Sequence, residues 1–393
     1  MRKTKVITRV TKFTILFLFL IAPAVLFGQG NGKVLTQTVR GTIVDAASGY
    51  PIAYASVALL GKPGMGAITD SLGHFIIKNV PVGRHDIQAS FVGYESSVFK
   101  EVLVTSSKGV FLNILMKEAI QELSEVTVLP RLNKEQPLNK MATTGARMLS
   151  VEEASRYAGG MDDPARLVSS FAGVSPGMST NGISIHGNAS HLLQWRLEDV
   201  EIPNPNHFAD LSILGGGILS GLSSLVLGNS DFFSGAFPAE FSNAVSGVFD
   251  MKLRNGNNQN MENTIQVALL GLDFASEGPL TKRHNSSYIF NYRYSTTGIL
   301  ENAGIVDFGG ILDYQDLNFK FNLPTRKAGT FSVWGTGLVD KSESEFEKDT
   351  EEWEYLGEQM ESETSQYMVA GGISHSYFFN DNTRLKTIVA ATY

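Results

Sequence analysis

The chain contains no cysteine. That excludes disulfide staples, thiolate metal sites and a lipid anchor carried on a cysteine. Charged side chains are few, 18% of the 393 residues, and they form no recognisable catalytic pattern. No His-x-x-Glu zinc motif, G-x-S-x-G turn, P-loop or paired-carboxylate constellation occurs. The seven histidines (His74, His85, His186, His191, His207, His284 and His375) are scattered, and the spacing of His186 and His191 presets no metal geometry on a loop. An enzyme is therefore disfavoured, and no catalytic residue, metal or cofactor is expected. A long apolar run is missing as well. Phe13 to Phe27 is almost wholly apolar, but these fifteen positions fall short of the roughly 20 that a helical bilayer span needs.

That run follows the basic residues Arg2, Lys3, Lys5, Arg9 and Lys12. A basic stretch, a short apolar core and small residues after it make a secretory signal peptide, assigned to residues 1–28 with cleavage near Gly28. The alternative, a membrane anchor, needs a longer run. Losing these five positive charges takes the formal net charge from −7 to −12. An acidic mature chain argues against nucleic acid as a partner. What the chain has in quantity is glycine, 39 residues, beside an ordinary 43% of hydrophobic ones. That mixture suits tightly turned β-structure better than helical bundles.

Residues 34–117 alternate in short runs. Ile43, Val57, Leu59, Phe75, Ile77, Ile87, Ala89 and Phe91 fall on every second position within their runs, as half-buried strands require. Ser48-Gly49, Ser71-Leu72-Gly73 and Pro81-Val82-Gly83 supply the turns. Some 80 residues of this kind make a small β-sandwich. The stretches GTIVDAASGYPIAYASV, TDSLGHF and SFVGYES resemble the carboxypeptidase regulatory-like domain, an immunoglobulin-like sandwich at the front of many outer-membrane receptors. Peptidase chemistry does not follow from that name, because the zinc motif is missing. Asp70 and His74 are better read as a hairpin turn than as metal ligands, since Leu72 offers no oxygen where a calcium loop needs one.

Residues 118–140 form a polar connector around one apolar run. Its segment LSEVTVLP resembles the Glu-Val-Val-Val stretch of TonB-dependent receptors. The resemblance implies that Glu125, Val126, Thr127 and Val128 add as a strand to a TonB-type periplasmic energy-coupling protein. The same residues equally suit the first strand of the next domain, and β-propensity does not separate the two.

Residues 141–254 mix helices with short strands, an α+β unit. Ser150-Val-Glu-Glu153 is a capping box opening one helix. Asp162-Asp-Pro164 opens a second, expected to run to about Phe171. The expected strands are ISIHG, QWRLEDVEI, SSLVLG, DFFSGAF and SGVFDMKL. Four stretches in order (DDPARLVSSFAGVSPG, ISIHGNAS, WRLEDVEIPNPNHFA and SGAFPAEFSNAVSGVFDMKLRNGN) resemble the plug domain of a TonB-dependent receptor. His186 departs from the family's usual Arg, and Asp199 from its usual Gly. The resemblance places Asn204, Asn206 and His207 at a ligand-facing plug apex, although Pro203 and Pro205 equally mark a rigid turn. The Asn/Gly-rich residues 255–262 are read as a flexible hinge between plug and wall.

Residues 263–393 read as membrane strands. In SYIFNYRYS, Tyr288, Phe290, Tyr292 and Tyr294 share one face, with Ile289, Asn291, Arg293 and Ser295 on the other. LNFKFNL repeats the pattern with Leu317, Phe319, Phe321 and Leu323 against Asn318, Lys320 and Asn322. Aromatics so regularly set on one face suit a lipid-facing wall. Short links at TKRHNS, PTRKAG and NDN alternate with long ones near 296–312 and 341–365, as periplasmic turns alternate with external loops. The second long link, with ten acids and two bases, reads as a solvated loop. Seven strands do not close a barrel that holds a plug, so the chain is expected to be truncated.

The expected fold is mainly β: an N-terminal β-sandwich, an α+β plug, then the first strands of a transmembrane antiparallel β-barrel. The resemblance implies an outer-membrane receptor with its N-terminal domains in the periplasm. It would import a scarce small or medium ligand by energy-coupled plug movement. Its partners would be the coupling protein and outer-membrane lipid, with a surface-exposed partner lipoprotein as a further candidate. The alternative is a surface adhesin or signal-transducing receptor without transport.

Overall fold

The computed structural model describes residues 35–46, 49–117, 137–139, 141–142, 144–151, 154, 163–176, 181–209, 216–268, 271–281, 285–302, 310–325, 327–344, 362–380 and 383–393. The signal-peptide reading and Glu125–Val128 lie outside them. Among the described residues no helix is long and apolar enough to cross a membrane, which says nothing of strands.

The N-terminal strands are β1 (Thr36–Asp45), β2 (Ser56–Leu59), β3 (Gly66–Ile68), β4 (His74–Pro81), β5 (Gly83–Ser90), β6 (Ser97–Val104) and β7 (Val110–Met116). They make two sheets, ordered β4-β1-β7 and β3-β2-β5-β6. The alternating apolar residues meet between the sheets: Ile43, Val57, Phe75, Ile77, Ile87 and Ile114 are buried together. Gly49 and Gly73 hold φ of +70° and +72° in their turns, where a side chain would strain the backbone. Asp70 closes its turn by accepting from the backbone N–H groups of Leu72 and His74, both at 2.9 Å. Its carboxylate therefore serves the hairpin.

The central unit contains β8 (Ala146–Leu149), α1 (Pro164–Val168), β9 (Val174–Pro176), β10 (Ile183–Ile185), β11 (Gln194–Leu197), β12 (Val200–Ile202), β13 (Asn206–His207), β14 (Leu219–Ser220), β15 (Ser230–Phe233) and β16 (Val248–Met251). Its main sheet runs β12-β11-β16-β15-β8. Trp195 stacks on Phe249 at 4.3 Å within it. Helix α1 starts where expected, with Asp163 accepting from the Ala165 N–H at 2.9 Å. It ends three residues before Phe171. The hydroxyls of Ser169 and Ser170 donate back to the carbonyls of Arg166 and Leu167, taking over acceptors at the helix end. QWRLEDVEI is a hairpin, β11 and β12, rather than one strand. SSLVLG is a turn rather than a strand: the Val226 and Leu227 N–H groups both donate to the Ser223 carbonyl.

The remaining strands form one antiparallel sheet in chain order: β17 (Glu262–Val267), β18 (Gly271–Thr281), β19 (Ser286–Ser295), β20 (Gly310–Pro324), β21 (Thr330–Ser344), β22 (Ser362–Asn380) and β23 (Thr383–Thr392). A short helix, α2 (Thr297–Asn302), follows β19. The two faces of this sheet are inverted relative to a soluble protein. Tyr367, Val369 and Ile373 on the outer face are 59%, 56% and 54% exposed. On the inner face Asn291 and Asn318 are fully buried, as is Asp316 at 2%. The central unit covers that inner face, and its apolar residues Leu197, Leu222 and Val226 join Ile289, Trp334, Leu338 and Met368 of the sheet in one cluster.

Residues 255–262, read as a flexible hinge, are pinned along the part that meets the wall. Asn257 is buried, its N–H donates to Glu277 at 2.9 Å, and its side chain accepts from the N–H groups of Gln259 and Asn260. A Cβ on Gly256 would stand 1.8 Å from the Tyr288 carbonyl oxygen. Glycine is there for close approach, not for looseness.

Candidate functional site

Period-two alternation in β18 to β21 projects polar side chains onto the covered face of the wall. A buried charge is tolerable only if paired, so the central unit must answer each of these groups. It does so at three places.

The first centres on His207 of β13. The ring is fully buried between two wall carboxylates, Nε2 lying 3.0 Å from Asp316 and Nδ1 3.2 Å from Asp340. Tyr314 packs against it at 4.8 Å between ring centroids. Asp316 also accepts from Arg293 Nε at 2.9 Å, and Arg293 donates onward to the Ser220 carbonyl. Asp340 also accepts the Phe208 N–H at 3.1 Å, and Asn318 donates to the Gly221 carbonyl at 2.8 Å.

The second lies at the β11–β12 turn. Glu198 and Asp199 both have positive φ, +52° and +71°, the backbone of a type I′ hairpin. This explains why glycine suits the Asp199 position. Lys320 of the wall donates to Glu198 at 2.9 Å and to the Leu253 carbonyl at 2.8 Å. Asp199 bridges Lys252 of its own unit and Lys386 of β23. Burial opposes its ionisation, yet the two lysines hold its carboxyl well below the usual range.

The third is Glu277 of β18. Arg254 grips it with two hydrogen bonds of 2.7 Å, and Arg40 of the N-terminal sandwich reaches it at 3.1 Å.

Of the residues expected to face a ligand, Asn206 and His207 are fully buried. The Asn206 carbonyl accepts from Gln366 of β22 at 3.2 Å, and its side chain accepts from Asn181 at 3.0 Å. Asn204 is half-buried and caps the turn, accepting the Asn206 N–H at 3.1 Å. The His207 ring, the Phe208 N–H and the Asn206 carbonyl meet the wall, while the Asn204 and Asn206 side chains pair within the central unit. Sequence reading missed Arg293, Asp316, Lys320 and Asp340 as functional positions. Their signal was available: charged residues on one face of strands whose other face is apolar. Chemically the site offers charge-paired holding, and no group of side chains suited to hold a metal ion occurs among the described residues.

Comparison with solved structures finds similarity to the siderophore receptor PirA from Acinetobacter baumannii, at 14% identity and TM-score 0.44 over 63% of this chain and 39% of that one. The outer membrane transporter YddB from Escherichia coli aligns at 14% identity and TM-score 0.40, over 63% of this chain and 38% of that one. A type II cohesin–X-dockerin complex from Acetivibrio cellulolyticus aligns at 30% identity and TM-score 0.18, over 21% of this chain and 58% of that one. The chain thus spans well under half of either receptor. No curated protein matches. The family model of the CarboxypepD_reg-like domain matches residues 39–128, the N-terminal sandwich and onward through Glu125–Val128.

Proposed function

We propose that this chain belongs to an outer-membrane TonB-dependent receptor, in which residues 141–254 act as a plug seated on a barrel wall. The receptor binds a scarce small or medium ligand and imports it by energy-coupled movement of the plug. One observation carries this reading: the seven-stranded sheet buries its charged face under the central unit and leaves its aromatic and aliphatic face bare. In water that arrangement is costly, whereas in a bilayer it satisfies both faces. The plug is held by a shared apolar cluster and by discrete polar contacts, which a pulling force can break one after another. The coupling protein would engage the Glu125–Val128 region.

The absence of cysteine makes the test clean. A Cβ on Gly221 would lie 3.5 Å from that of Leu338, a separation that suits a disulfide, and 2.8 Å from the Pro205 carbonyl oxygen, so the reduced double variant is the reference for the oxidised one. A Gly221→Cys/Leu338→Cys pair is expected to abolish energy-dependent uptake when oxidised and to regain it under reductant. Deleting residues 125–129 is expected to abolish uptake irreversibly. Uptake equal in both variants and in cells lacking the chain would leave a surface platform, an adhesin or signalling receptor, as the better reading.

A further inference from the structure

The N-terminal sandwich is not merely tethered to the plug and wall. Glu277 takes four donors: two from Arg254, the Asn257 N–H, and one from Arg40. Three of these fall on Oε2, one each from Arg40, Arg254 and Asn257, and the fourth joins Arg254 to Oε1, so Arg40 shares its acceptor with both the plug and the linker. Arg40 is itself buried, and both of its hydrogen bonds leave the sandwich, one to Glu277 and one to the Gly256 carbonyl at 3.4 Å. One sandwich residue thus holds both the linker at the end of the plug and the wall strand beside it.

The rest of this joint is built to separate. Tyr50 of the sandwich meets Phe378 of β22 edge-on at 5.2 Å. Between the domains lies a cavity of about 290 Å³ whose walls include Asn255, Asn258, Gln259, Asn285 and Asn322. Ile68, Ile76 and Phe111 line the same cavity, and apolar surface left facing a void gains little from burial. Like charges crowd it too. Burial and Arg254 hold Lys108 of the sandwich down to about 8, against the pull of Glu277 and Glu262.

We propose that the sandwich is a releasable latch: docked, its Arg40 binds the same Glu277 oxygen as Arg254 and Asn257 and holds the plug's C-terminal end on the wall; undocked, it loosens that end and eases plug release. Its role in uptake rests on the importer reading, but the coupling is measurable without uptake.

The test uses the full chain in lipid vesicles, with Tyr50→Cys and Phe378→Cys joined by a short bifunctional thiol reagent to report docking. Amide hydrogen exchange in β16, which Arg40 does not touch, reports plug seating. Arg40→Ala is expected to lose most of the crosslink and to speed β16 exchange about tenfold, within the usual range of coupling between sites. Arg40→Lys is expected to restore part of both. Sandwich melting, followed in parallel, identifies a variant that has simply unfolded; Arg40→Met, which keeps the aliphatic bulk and leaves the Arg254–Glu277 pair in place, then gives the same readout with the sandwich intact. A crosslink that persists in Arg40→Ala overturns the latch, and so does a lost crosslink with unchanged β16 exchange. Failure of the unmodified chain to import would instead count against the importer reading alone.

Discussion

His207 shows how much one side chain settles. Removing it leaves Asp316 with Arg293, but among the described residues leaves Asp340 in a buried site with the Phe208 N–H as its remaining donor. Breaking a buried charge-assisted pair costs about 3–5 kcal/mol, mostly from the uncompensated partner. His207→Ala is therefore expected to lower the urea needed to unseat the plug while leaving the strand signal of the wall unchanged. Asp340→Asn in the same background should recover much of the loss, because the stranded charge is then gone. Asp231 makes a different residue-scale prediction. It clamps the chain before the plug by accepting the Leu138 and Asn139 N–H groups at 2.7 and 2.6 Å. Burial pushes its carboxyl up to about 6, despite those two amides. The folded state therefore binds the proton more tightly than the unfolded one. Its contribution to stability is full below about pH 4, the ordinary carboxylate range, and is lost as pH rises through 6. Asp250, also raised by burial, acts in the same direction. Plug stability measured from pH 4 to 7 should fall with rising pH, with a shallower slope in Asp231→Asn.

Elements differ in how far their residues announce them. The wall strands were legible because side chains alternate with period two, so SYIFNYRYS and LNFKFNL displayed their two faces directly. The sandwich turns were legible because glycine at positive φ has few substitutes. SSLVLG was not, since a short apolar run suits a strand and a buried turn equally. Here the Ser223 hydroxyl accepts the Leu225 N–H and bends the chain, and Val226 and Leu227 still reach the core. The locks were less legible again: His207 and Asp316 lie 109 positions apart, and nothing local marks them as partners. Residues 255–262 misled for a subtler reason, because glycine signals freedom and close approach with the same letter. Gly256→Ala separates the two. A flexible linker would tolerate it, whereas the observed packing against the Tyr288 carbonyl predicts a loss of about 1–3 kcal/mol, as overpacking usually costs. Thermal unfolding in detergent would register it.

At the scale of the whole molecule, one inversion organises everything else. Charged residues sit on the covered side of the sheet, where the central unit pairs them, and on the proposed reading apolar residues sit on the bare side because lipid would accept them. Neither half makes sense alone. A wall without its plug would carry unpaired polar groups into an empty lumen, and a plug without its wall would expose His207, Glu198 and Arg254 with no partners across the interface. Ile373, 54% exposed near the middle of β22, is the sharpest probe. Arginine placed on the lipid face at mid-membrane depth costs about 2–4 kcal/mol, and almost nothing near the interfaces. On a water-exposed sheet the same change would be neutral or would improve solubility. Ile373→Arg is therefore expected to lower the yield of folding into lipid vesicles sharply, and Thr383→Arg, at the membrane edge, to leave it near normal. Equal yields for the two would remove the bilayer from the account, and with it the reason for the polar face to be covered by a plug at all.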